Sequence, residues 1–125
     1  MFKHLLAAAV LSAGRAFAEM EFVTDAALCA LDPVDRLESG ATLTATGTSE
    51  IEYYCFWDDL NHIHWQTDQT QIRPGFCNEP GALFPDVFVF QSFRSEPGTL
   101  YMYSQSNNQM GENAGQPTLF YACQK

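Results

Sequence analysis

Positive charge is scarce in this chain. Its 125 residues carry six Lys and Arg against fifteen Asp and Glu, a formal net charge of −9. Two of the six, Lys3 and Arg15, fall in a leader expected to end at residue 18, whereas all fifteen acids follow it. The processed chain would then carry 4 − 15 = −11. Such a surface repels nucleic-acid phosphates and anionic lipid headgroups, which demotes both as partners and favours basic proteins and cations.

Other absences narrow the field. No G-x-S-x-G or comparable nucleophile signature occurs, and of three histidines only His62 and His64 lie beyond the leader. No cysteine pair has C-x-x-C spacing, which argues against a zinc site. No apolar run after the leader is long enough to cross a bilayer as a helix, and no cysteine follows the expected cleavage point for lipid attachment.

The leader itself is a secretory pattern. Lys3 and His4 give a basic start, Leu5 to Gly14 a short apolar run, and Ala16-Phe17-Ala18 a small-x-small cleavage site before Glu19. Residues 1–18 are read as signal peptide and 19–125 as one β domain, located in the periplasm or secreted. Four cysteines in an oxidising compartment imply two disulfides, for which three connectivities are possible. The reading favours Cys55–Cys77, tying a strand end to a later loop, and Cys29–Cys123, tying the N-terminal segment to the last strand.

Along the chain, Thr24 is expected to cap a short helix over Asp25 to Leu31, and Asp32-Pro33 to start a second. From Ala41 the apolar period becomes two. Ala41 to Thr46, Glu50 to Trp57, Ile63 to Thr67, Asp86 to Phe93, Thr99 to Ser104 and Pro117 to Cys123 read as six strands. Within EIEYYCFW, Ile51, Tyr53, Cys55 and Trp57 share one face, while Glu50, Glu52, Tyr54 and Phe56 share the other. Arg73 to Gly81 reads as loop because of its proline and glycine content, and Gln105 to Gln116 as a long polar loop. The fold expected is all-β, an antiparallel meander closing into a small barrel or sandwich, with a short helical N-terminal segment.

Chemistry is thin. His62 and His64 point to one strand face, a spacing that serves copper or zinc, but a strand-turn-strand reading of Tyr53 to Trp65 is simpler. Conceivable carboxylate pairs are Asp58/Asp59, Glu50/Glu52 and Glu79/Asp86, yet a chain this small seldom builds a hydrolase cleft. Tyr54, Phe56, Tyr101 and Tyr103 are the candidate binding residues, because a one-sided sheet would expose them.

The order of Leu28-Cys29-Ala30, IEYYCFW, FCNEPG, PDVFVF, GTLYMYS and the terminal YAC resembles that of small exported β-barrel proteins of proteobacteria. The chain is also loosely similar to periplasmic lysozyme inhibitors, without their serine and lysine loop contacts; Ser39-Gly40 lacks the surrounding pattern. These readings point to a non-enzymatic binding or inhibitory module for a small ligand or a cationic envelope or lysozyme-like protein, with no cofactor. A metal-binding role through His62 and His64 is the alternative, and a structural envelope role with Gln105 to Gln116 as contact arm a third.

Overall fold

The computed structural model describes residues 21–60, 67–108 and 115–123. Eight strands close an antiparallel barrel in sequence order: β1 (Phe22–Val23), β2 (Thr42–Thr44), β3 (Gly47–Glu50), β4 (Tyr53–Trp57), β5 (Gln69–Glu79), β6 (Ala82–Ser92), β7 (Thr99–Ser104) and β8 (Thr118–Ala122). Closure is made by β1, which pairs with β2 on one side and β8 on the other. A closed sheet has no free edge over its paired length, which removes the usual template for aggregation. The barrel form of the expected fold is therefore the one adopted.

Period-two alternation builds the interior. Cys55 and Trp57 from β4, Phe88 and Phe90 from β6, Leu100 and Met102 from β7, and Phe120 from β8 all point inward and are buried. Trp57 lies between Phe88 and Phe90, with ring centroids 5.0 and 4.8 Å away. Its indole N–H donates to the Ala45 carbonyl at 3.0 Å, so the one polar atom of the ring is satisfied inside the core. Leu60, fully buried, closes the core from the segment after β4.

Both expected disulfides are present. Cys55 and Cys77 sit directly opposite one another on β4 and β5, and Cys29 joins Cys123 just past β8. No free cysteine remains. Two disulfides fit a protein that folds outside the reducing cytoplasm. Among the described residues, no helix is long and apolar enough to cross a membrane.

The segment between β1 and β2 forms two small helical turns, α1 (Ala26–Ala30, of 3-10 type) and α2 (Pro33–Arg36). Asp25, not Thr24, caps α1, accepting from the Ala27 amide at 2.9 Å. Thr24 instead accepts from the Ala41 amide. Asp32 and Pro33 start α2 as expected. Arg36 holds this segment together. The residue is 6% exposed, and its guanidinium pairs with Glu21 and donates to the carbonyls of Leu28, Cys29 and Leu31.

Two local expectations are corrected. Arg73 to Glu79, read as loop, belongs to an eleven-residue strand, β5. Pro74 lies one residue past the last β4 pair, Trp57↔Gly75, where β5 has no described β4 neighbour; proline is tolerated at such an edge. At Gly75 a Cβ would collide with the Phe56 carbonyl, so glycine is what lets β4 and β5 approach. The second correction concerns EIEYYCFW, which is not one strand. Ile51 and Glu52 form a tight turn, with Glu52 at φ 58°, and Glu50 pairs with Tyr53 across it. Glu50 therefore shares Tyr53's inward face rather than that of Tyr54 and Phe56.

Of the long polar loop, Gln105–Asn108 forms a short helix, α3. Residues 63–66 of the expected third strand lie outside the described residues.

Candidate functional site

Because the strands simply go up and down, the β3–β4 and β5–β6 turns share one end of the barrel. Glu50 ends β3, Tyr53 opens β4 and Glu79 ends β5, so the register brings three inward-facing polar groups to this mouth. Burial is the first cause of the Tyr53 phenol's raised pKa, followed by the charges of Asp86, Glu79 and Glu50. All three carboxylates are thus close enough to be felt at that ring.

Asp86 is the deepest of them, 5% exposed. It accepts from Ser104 Oγ (2.5 Å), Ser106 Oγ (2.7 Å), the Ser106 amide (3.2 Å) and the Val87 amide (2.7 Å). Burial alone would push its carboxyl up, but these donors outweigh it and hold the pKa below its ordinary value. The register explains the site. Asp86 faces the Gly75 position of β5, and β7 ends at Ser104, so α3 turns over β6 and supplies Ser106.

Inside the mouth is a cavity of about 240 Å³. Its floor includes Phe88, Met102 and Phe120, its walls Thr24, Thr48, Ser104 and Thr118, and its rim Glu50 and Tyr53. Thr48 is 9% exposed and its hydroxyl has no partner among the described residues. Among the described residues no fully enclosed side-chain oxygen or nitrogen lacks a partner, so the Thr48 oxygen retains some exposure, and Thr48 is one of the residues lining the cavity. Among the described residues that line it there is no cation.

Outside the barrel, Tyr54, Phe56 and Phe76 form an exposed aromatic row, with centroid separations of 6.3 and 5.7 Å. The row continues into a groove of about 580 Å³ whose lining reaches inward from Phe56, Phe76 and Pro85 to Trp57 and Asp86. Tyr101 and Tyr103 stand on β7, separated from this row by β6, and are half-buried. Tyr101 packs edge-on against Phe93 and donates to the Glu96 carboxylate at 2.8 Å, which holds its proton more tightly than usual. The four aromatics expected to bind therefore fall on two separate places of one exterior face.

His62 and His64 lie outside the described residues. Among the described residues no group of three or more His, Cys, Asp or Glu is arranged to hold a metal ion. Of the carboxylate pairs, Glu79 and Asp86 both act on Tyr53, whereas Glu50 and Glu52 are split by the turn, one facing in and one within it.

Thr48, Ser104 and the depth of Asp86 were not foreseen. The missing signal was the turn at Ile51–Glu52. With that turn placed, alternation alone puts Thr48 and Glu50 inside the barrel beside Cys55 and Tyr53. Comparison with known protein families, with characterised proteins and with solved structures finds no match.

Proposed function

We propose that this protein is a non-enzymatic binding or inhibitory module of the periplasm or extracellular space, engaging a cationic protein through its acidic barrel end. The observation that carries the reading is a collection of charge. Glu50, Glu52, Glu79 and Asp86 belong to the end that holds the β3–β4 and β5–β6 turns. The nearest arginine in the β1–β2 segment, Arg36, is buried and committed to Glu21. The Leu37 carbonyl accepts from the Ile51 amide, which sets that segment against the same turn. The exposed row of Tyr54, Phe56 and Phe76 adds the apolar contact that charge alone does not supply.

Electrostatic capture of this kind accelerates association and weakens with salt. Purified chain titrated with a lysozyme should bind at about 50 mM salt and lose at least about tenfold in affinity by about 500 mM. An acidic protein of similar size should not bind. Salt-independent binding, or none to the cationic protein, would defeat the reading.

A further inference from the structure

We infer that the cavity in the barrel mouth receives one primary ammonium group on an alkyl stem, the chemistry of a lysine side chain. This rests on the reading of the protein as a module for cationic partners and names what enters it. Four observations converge.

The first is size. At about 240 Å³ the cavity is smaller than the roughly 300–1,000 Å³ of sites for drug-sized ligands, so it takes a single side chain or small amine. The second is its division into zones. Phe88, Met102 and Phe120 offer an apolar floor for methylenes, while Glu50 and Tyr53 stand at the rim. Long cationic side chains bury an apolar stem and keep a polar head among polar groups, which is the same division.

The third is donor and acceptor count. An ammonium has three donors and no acceptor. The Glu50 carboxylate, the Thr48 hydroxyl oxygen and the Tyr53 or Thr118 oxygen can each accept. None of these side chains is already hydrogen-bonded among the described residues, and Thr48, nine-tenths buried, lines the cavity. No described residue uses the Thr48 hydroxyl, which leaves its oxygen available as an acceptor. The fourth is the field. Asp86, behind Ser104, and Glu79 add negative charge and are paired with no cation among the described residues, so a positive group entering here meets attraction.

An uncharged ligand would leave the Glu50 carboxylate of the lining without a counter-charge, and anions are repelled by it and by the nearby Glu79 and Asp86. A guanidinium is planar with five donors in a fixed fork, a poorer match to single acceptors spread around a narrow rim.

The test is two-dimensional NMR of the full processed chain titrated with Nα-acetyl-lysine methylamide, its norleucine counterpart and its arginine counterpart. The expected result is saturable shifts at the amides of Thr48, Glu50, Tyr53 and Thr118 with the lysine compound alone. Glu50→Gln and Thr48→Val should each weaken that binding, the first by about five- to tenfold. Both variants should keep the wild-type spectrum elsewhere, which separates loss of the site from loss of the fold. Equal binding of the norleucine or arginine compound would overturn the ammonium assignment. No shift at the mouth, with lysozyme still captured in a salt-dependent way, would overturn this inference and leave the binding module intact. Failure of both would overturn both.

Discussion

On one side of the barrel β5 and β6 are paired without interruption from Gln69↔Ser92 to Glu79↔Ala82, eleven residues on each strand. On the other side β1 contributes two residues and β2 three. The two sides stay folded by different means. The long hairpin carries its own backbone ladder and the aromatic packing of Trp57, Phe88 and Phe90. The short side has too few ladder hydrogen bonds to hold its register, and it is braced by α1, α2, the Arg36 network and the Cys29–Cys123 bond. Strand length on one side is replaced by side-chain and covalent ties on the other.

The sharpest way to break this contrast is to remove the covalent tie. Cys29 and Cys123 are 94 residues apart, against 22 for Cys55 and Cys77. In the loop-entropy account these separations correspond to about 4.7 and about 3.4 kcal/mol. The Cys29→Ser/Cys123→Ser variant should lose about 4.7 kcal/mol in urea unfolding. Hydrogen exchange should quicken first in β1, β2 and β8. Equal loss of protection in β5 and β6 would mean that the two sides are not separately supported.

Arg36 gives the next largest effect. Arg36→Met leaves three carbonyls and Glu21 without their donor, at a cost of about 3 kcal/mol, whereas Glu21→Gln should cost less than about 1. Near-equal thermal midpoints for the two variants would show that the carbonyl contacts contribute little.

On the long side the effect is smaller than that of Arg36→Met. Asp86→Asn should destabilise by about 2 kcal/mol at neutral pH, since it trades a carboxylate for a weaker acceptor in a site built of donors. The sign with pH is fixed by the lowered pKa. The stabilisation is present above the ordinary value of 3.8 and is lost as pH falls through the folded value beneath it. The difference in midpoint between wild type and Asp86→Asn should therefore be largest near neutrality and shrink below about pH 4. A difference that grows on acidification would reverse the assignment.

The same contrast separates what the residues announced from what they concealed. Alternation in segments such as TLYMYS (Thr99–Ser104), and the aspartate-proline start of α2, speak through local preference, so they were legible. The disulfide pairing followed from where strands were expected to end. The β5 strand was hidden because Pro74, Gly75 and Asn78 have turn preferences that β4 and β6 override from either side. The Ile51–Glu52 turn was hidden because neither residue favours a left-handed backbone, and Glu52 adopts one only because both flanking strands demand it. Reading through that turn as strand inverted the face of Glu50, and with it the acidic mouth. A site assembled from registers is read only as well as the registers are.

The nesting of the two disulfides bears on how the molecule comes into being. A chain that emerges N-terminus first presents Cys29, then Cys55, then Cys77, and last Cys123. The inner bond can close as soon as Cys77 appears, but the first thiol waits for the final one, just as β1 waits for β8. During that interval the nearest oxidation partner for Cys29 is the wrong one, Cys55. Efficient biogenesis therefore calls for a catalyst that reshuffles disulfides rather than one that only makes them. A host that can oxidise thiols but not reshuffle them should accumulate the 29–55 species.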